Sequence, residues 1–379
     1  MSSNGILLVA IIPSIIINAA ATTTCSGICE RTATTKHEGV LNYALLGHTI
    51  RILPTTNPFT CHQNCFMECR CLSYQISKAG CELTDEDRFS KPASFKERKA
   101  YKYYDIKREY HHRNCFCDGH SSSNTTCQNG CCKSQPCLNN GQCKESCDNP
   151  RIKLKCICPE GYTGKLCQIK ARSCKDYIGN GTNGEYVIID RDENKLKVIC
   201  DFGSEKGFAW TLVESFSLLN NPYIQSYPFY ISHPLHESNP NWNYYRLSYL
   251  HMKDIADVST HFRATCQFPV EGVNYVDYIR GKLNDTDVLD AKYVASCMKY
   301  DYVNIRGHEC HNCTAFTVLW SLVHIHVDGY TSNLCTLGRA PDALGGLGDD
   351  NFGYYGVPHG KHRCITGITA TTQWWFGGP

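Results

Sequence analysis

Twenty-six cysteines stand among the 379 residues. Thiols in such number either oxidise in pairs or hold metal. Six of them, Cys132, Cys137, Cys143, Cys156, Cys158 and Cys167, crowd around Gly161-Tyr162-Thr163-Gly164. A stretch that short buries too little apolar surface to fold unaided, so covalent or metallic bonds must hold it. Spacing alone leaves every pairing of the six open. A second cluster, His308-Glu309-Cys310-His311-Asn312-Cys313, brings a CxxC and two histidines, the donor types of a zinc site. It lacks the HExxH order, its thiolates would have to survive oxidation, and Asn312 opens a sequon inside the pair. The two cysteines therefore read as a disulfide. His324 and His326 share a strand face at a spacing metals use, but nothing nearby completes a set, and they read as ordinary strand residues. Asp349, Asp350 and Asn351 offer three oxygen side chains in a glycine-flanked loop. Calcium takes about six to eight oxygens, so carbonyls and water would have to complete the shell. An Asx-type turn uses the same residues. There is no Gly-x-Ser-x-Gly elbow, no phosphate loop and no free cysteine with an evident histidine partner, and no enzymatic activity is expected.

The surrounding sequence points to an oxidising compartment. The cysteines are even in number and spread along nearly the whole chain. Sequons stand at Asn124, Asn180, Asn284 and Asn312, each with threonine two positions on. Cys310 and Cys313 flank the last of these and are expected to bury it. Residues 6–17 are apolar and precede Asn18-Ala19-Ala20-Ala21, the pattern of a signal peptide over 1–21, although no lysine or arginine leads it. As a helix rising about 1.5 Å per residue, that stretch falls well short of a bilayer core of roughly 30 Å. The product is expected to start near Thr22, to be secreted, and to have no membrane span. A net charge of +2 supplies no field to steer nucleic acid or anionic membrane, and it argues against an acidic mineral binder. The basic run Lys107-Arg108-Glu109-Tyr110-His111-His112-Arg113 reads as a solvated linker, with sulfated sugar as its alternative partner.

Three further patterns resemble known modules. The six-cysteine run over 132–168 resembles an EGF-like module, which implies the pairs Cys132–Cys143, Cys137–Cys156 and Cys158–Cys167. Its flanks, Gln128-Asn129-Gly130-Cys131 and Lys144-Glu145, lack the acidic pattern of the calcium-binding version, so no calcium is expected there. In the section 22–110, Cys61 and Cys65 sit at i and i+4, on one face of a helix. Strands at Cys71-Leu72-Ser73-Tyr74-Gln75 and Cys81-Glu82-Leu83 follow, and Lys99-Ala100-Tyr101-Lys102-Tyr103-Tyr104 closes the set. That order resembles a PAN/apple module and implies Cys61–Cys81 and Cys65–Cys71. A cysteine-rich connector occupies 111–131. The section 172–379 opens with Cys174, two strands ending at Cys200-Asp201, and Gly207-Phe208-Ala209-Trp210-Thr211-Leu212-Val213. It resembles a fibrinogen-related domain, which implies Cys174–Cys200. Asp349-Asp350-Asn351-Phe352-Gly353-Tyr354-Tyr355-Gly356 would then answer to the family's calcium loop. Asn221-Pro222-Tyr223 and Asn239-Pro240-Asn241-Trp242 read as surface loops.

The expected fold is multidomain α+β and small disulfide-rich: a PAN/apple module, an EGF-like module and a fibrinogen-related mixed α+β domain. That order is similar to extracellular and skeletal organic matrix proteins of corals and sea anemones. It implies a secreted glycoprotein of matrix or adhesion, with calcium-dependent glycan recognition by the last domain as the alternative. Calcium at Asp349, Asp350 and Asn351 is the one cofactor implied. Extracellular proteins or glycans are the expected partners, with no nucleic acid among them. Pairing is left open for Cys25, Cys29, Cys69, Cys115, Cys117, Cys127, Cys131 and Cys147, and for the last six cysteines.

Overall fold

A computed structural model describes residues 26–35, 39–112, 126–149, 151–179, 181–290, 294–320, 323–328, 335–338, 350–352, 354–355 and 362–379. The chain divides into two compact units. One comprises Met1–Pro136 with Cys143–Lys155, the other Cys137–Gln142 with Cys156–Pro379. Both are built mostly from β-sheet, with few helices.

In the first unit, β1 (Ser26–Thr35), β2 (Val40–Leu45) and β3 (Thr49–Leu53) precede the helix α1 (Pro58–Met67). After it come β4 (Ser73–Ser77), β5 (Gly80–Thr84), β6 (Phe95–His112) and β7 (Thr126–Gln128). The sheet runs β3-β5-β4-β6-β1-β7, with β2 also paired to β6. Helix α1 starts where Asn57 accepts hydrogen bonds from the N–H groups of Phe59 (2.9 Å) and Thr60 (3.3 Å), with Pro58 in the first turn where its missing donor is not needed. Its two buried residues are Cys61 and Cys65. The core they enter adds Leu53, Cys71, Tyr74, Cys81, Leu83 and Tyr104, with Tyr74 and Tyr104 stacked 4.8 Å apart. The basic run is not a linker through His112. Lys107 to His112 continue β6 and pair with β1 from Thr34 back to Cys29. Backbone pairing overrides the linker reading because a strand needs only one face, or neither, to be apolar. A hairpin of β8 (Gln142–Asn149) and β9 (Ile152–Ile157) follows.

The second unit begins with β10 (Tyr162–Thr163) and β11 (Ile169–Lys170), a small antiparallel pair. Its main sheet takes β12 (Gly184–Ile189), β13 (Lys195–Asp201), β14 (Ala209–Ser217) and β15 (Tyr244–Arg246). The helix α2 (Tyr249–Asp257), β16 (His261–Cys266), the short helix α3 (Phe268–Glu271) and β17 (Tyr278–Lys282) come next. Then follow β18 (Val294–Ile305), β19 (His308–Trp320), β20 (Val323–Asp328), the pair β21 (Asp350–Asn351) and β22 (Tyr354–Tyr355), and finally β23 (Thr371–Gly378). The order is β12-β13-β14-β23-β16-β17-β18-β19-β20, with β15 on β14. The last strand of the chain thus lies in the middle of the sheet. Every residue of β14 and β23 is buried, as strands covered on both faces must be. Gly377 permits their close approach, since a Cβ there would meet the Ala209 carbonyl oxygen at 2.0 Å. Trp374 and Trp375 point to opposite faces and are fully buried, one against Phe229 and the other against Phe268.

Two loops expected at the surface are partly internal. Asn221 and Pro240 are buried, and Trp242 packs on the core. Arg246, fully buried on β15, anchors the segment between these two loops. It donates to the carbonyls of Tyr227 (2.6 Å), Pro228 (2.8 Å) and Ile231 (3.1 Å) and pairs with the buried Glu214 at 2.7 Å. One guanidinium satisfies three carbonyls of residues 227–231 at once.

Candidate functional site

The six clustered cysteines are joined first to third, second to fourth and fifth to sixth. Cys132 meets Cys143 with Cα atoms 5.6 Å apart, Cys137 meets Cys156 at 5.7 Å, and Cys158 meets Cys167 at 5.3 Å. Asn139 donates to the Cys167 carbonyl at 2.8 Å, and the Leu138 N–H donates to Leu166 at the same distance. Gly141 is needed here: a Cβ would meet the Cys167 sulfur at 2.7 Å. This disulfide ladder with its small β10/β11 hairpin decides the assignment. Residues 132–166 match the EGF-like domain family. No solved structure matches the chain.

The entry to the EGF-like domain is stitched by polar groups. Glu145 accepts hydrogen bonds from the N–H of Cys132 (3.0 Å) and from that of Asn129. Asn129 in turn donates to the carbonyls of Ser146 (2.9 Å) and Lys153 (2.6 Å) and accepts from the Cys131 N–H (2.9 Å). Cys131 is bonded to Cys69, so two of the cysteines whose pairing the sequence leaves open hold each other. Lys153, 2 % exposed, donates to the Glu68 carbonyl at 2.8 Å. Cys61–Cys81 and Cys65–Cys71 tie α1 to the sheet beneath it, and Cys174–Cys200 opens the second unit. Cys25, Cys115 and Cys117 lie outside the described residues, as do the side chains of Cys29, Cys127 and Cys147.

The metal candidates resolve one by one. Cys310 is bonded to Cys313. His308 contacts the Leu337 carbonyl through Nε2 at 2.7 Å, and the His311 ring packs 4.6 Å from Tyr302. Glu309 takes hydrogen bonds from Tyr302 and Asn304, which hold its carboxyl below the usual range. The zinc-like run is therefore dispersed among separate partners. Cys266, His362 and Cys364 also bring ligand atoms within 4.8 Å of one another, but the two sulfurs are bonded to each other and offer no thiolate. His326 is buried on β20, while the His324 side chain lies outside the described residues. So do Asp349 and the side chains of Asp350 and Asn351; the backbone of the last two pairs with Tyr354–Tyr355. The remaining two of the last six cysteines, Cys297 and Cys335, are joined.

The polar interior of the second unit was not legible in the sequence. Arg263, fully buried on β16, lies 4.6 Å from the Trp210 ring and 4.7 Å from the Trp375 ring. It donates to Asp201 (2.7 Å) and Glu205 (2.8 Å), and Glu205 also accepts from Tyr278 at 2.9 Å and pairs with Arg280. Burial pushes the Asp201 carboxyl up, but the Arg263 charge and the Ser204 hydrogen bonds outweigh it and hold it below the usual range. On α2, His251 sits between Glu237 (2.7 Å) and Asp190 (3.2 Å). The Glu237 hydrogen bond raises its pKa against the opposing effect of burial, with the charge of Glu237 helping.

Of the sequons, Asn124 and Asn180 lie outside the described residues. Asn284 is exposed. Asn312 is exposed as well, which corrects the expectation that its cysteine neighbours bury it: adjacent side chains on a strand take opposite faces, and Cys313 is the one turned inward. A cavity of about 290 Å³ opens beside it, walled by Lys282, Asp285, Lys299, Asp301, Asn312 and Thr314. Three strands and a turn supply these residues, so no spacing rule could assemble them.

Proposed function

We propose that this protein is an extracellular matrix or adhesion component, acting by binding rather than catalysis. Its EGF-like domain and its disulfides fit an extracellular protein. Among the described residues, no helix is long and apolar enough to cross a membrane. The observation that carries the reading is the EGF-like domain at 132–166, a module stable only in oxidising surroundings, set within a chain that is cross-linked on both sides of it. The helix-and-sheet disulfides of the first unit support a PAN/apple-like reading. The opening strands and Cys174–Cys200 of the second support a fibrinogen-related one. Several modules in one chain gain avidity for a shared matrix without any single strong site. Within this reading the protein belongs among cnidarian matrix components, including those of the skeletal organic matrix.

The test is adhesion to surfaces coated with the full secreted chain, with and without chelator. Cell or matrix binding that survives chelation is the expected result. A calcium ion held at Asp349, Asp350 and Asn351 would stabilise the native state by about 2.7 kcal/mol at a hundredfold excess over its dissociation constant. A calcium-dependent rise in melting temperature together with saturable, chelator-sensitive binding on a glycan array would replace matrix adhesion with the lectin reading.

A further inference from the structure

We propose that the cavity beside β19 is the seat of the protein's own N-linked glycan, carried on Asn312, and is therefore not open to outside ligands. The inference rests on the reading of the chain as secreted. Asn312 is itself a wall of the cavity, so the first sugar, one bond beyond its amide nitrogen, begins inside it. Nothing among the described residues hydrogen-bonds that carboxamide, and the residue adopts φ 46°, a left-handed conformation that asparagine tolerates well. The fold brings a second sequon to the same place. Asp285, the middle residue of Asn284-Asp285-Thr286, lines the cavity, and Thr286 is fixed to it by a 2.9 Å hydrogen bond to the Lys299 carbonyl.

The walls have the chemistry of a neutral sugar site. Two lysines donate, Asp285 and Asp301 accept, and Thr314 and Thr336 add hydroxyls. The two positive and two negative charges cancel, which disfavours phosphate or sulfate and leaves directional hydrogen bonding as the attraction. At about 290 Å³ the space sits at the small end of ligand pockets, roughly 300–1,000 Å³, suited to one or two pyranose rings. The floor is rigid: Cys313 is held to Cys310, and Cys335, next to Thr336, to Cys297. Thr314 and Thr336 exchange hydrogen bonds of 2.6 and 3.0 Å. Because the Thr314 hydroxyl is engaged in the fold, transfer must come first. In that step the Asn312 amide nitrogen displaces the lipid diphosphate from the anomeric carbon of a lipid-diphosphate oligosaccharide. The C–N bond forms, the C–O bond breaks, the lipid diphosphate leaves with the electron pair, and the amide proton passes to base.

The full chain, secreted from animal cells, gives the test. Treatment with an N-glycan amidase in heavy-oxygen water marks each occupied asparagine, and the native release rate is read site by site. We expect Asn312 to be occupied and released about tenfold more slowly than Asn284, the factor that about 1.4 kcal/mol of opening free energy produces. Denaturation should equalise the two rates, and the double variant Lys282→Ala/Lys299→Ala should speed native release at Asn312 alone. An empty Asn312 beside other occupied sequons overturns the proposal and leaves secretion standing, whereas four empty sequons overturn both. Equal native rates also overturn it, as does saturable binding of free N-acetylglucosamine disaccharide to the wild-type cavity.

Discussion

In the first unit, four of the eight core residues among those described are cysteines: Cys61, Cys65, Cys71 and Cys81. In the second, the core is carried by Trp210, Phe216, Phe229, Phe262, Trp374, Trp375 and Phe376 with many aliphatic neighbours, and its disulfides lie among them as a minority. The second core is large enough to enclose two guanidinium groups, Arg246 and Arg263, each fully buried against carboxylates. The small core is held by covalent bonds; the large one can bury paired charge within it when the partners are present. The two units therefore should fail in different ways.

The largest effect is expected from Arg263→Ala. It leaves Asp201 buried without its counter-charge and Glu205 with Arg280 as its one remaining cation, a loss of about 3–5 kcal/mol for a broken buried pair. It also removes the group lying against both tryptophan rings. Hydrogen exchange read peptide by peptide should show loss of protection throughout the second unit and none in the β4/β5 region. Loss in both units would show that the division into separately stabilised bodies is wrong.

Next in size is the pair Cys61→Ser/Cys81→Ser against Cys174→Ser/Cys200→Ser. The two bridges span 20 and 26 residues, so chain entropy gives each about 3 kcal/mol. Equal losses should have unequal consequences. The first variant is expected to unfold its unit at physiological temperature, seen as proteolysis between α1 and β6, while the second keeps its unit folded with a lowered melting temperature. Similar damage from both would break the comparison, because it would mean that the aromatic core adds no reserve.

What could be read in the sequence follows the same line. Local covalent pattern was legible: Cys61 and Cys65 at helical spacing predict α1, and the six-cysteine run marks the EGF-like domain. The opening strands of the second unit were visible too, because β12, β13 and β14 pair with their neighbours in sequence. The insertion of β23 between β14 and β16 was not, since Trp375 meets Leu212 and Arg263 across more than a hundred residues. Nor does anything in His261-Phe262-Arg263-Ala264 say that the arginine is internal; its partners Asp201 and Glu205 arrive from another strand and its following turn. Charge in a sequence signals surface by default, and this arginine departs from that default because the Asp201 and Glu205 carboxylates come to meet it.

The smallest effect concerns pH and is expected in the second unit alone, where the His251 cluster lies. The folded pKa of His251 lies above its ordinary 6.5, through the Glu237 hydrogen bond foremost. Its contribution is therefore complete below pH 6.5 and is lost as pH rises through the folded value. Glu237 behaves in the opposite sense. Burial pushes it up, but the His251 and Ser248 hydrogen bonds bring it below its ordinary 4.5, so its contribution holds above that pH and is lost as pH falls through the lowered value. Between these limits the second unit should be at its most stable. The groups are partly exposed, so solvent screening limits the gain to on the order of 1 kcal/mol. His251→Gln should flatten the stability profile above pH 6.5 while leaving the first unit's profile unchanged. A flat wild-type profile from pH 5 to 8, the interval over which an ordinary histidine titrates, would show that the His251 cluster is solvated in solution and holds α2 no more firmly than a surface pair would.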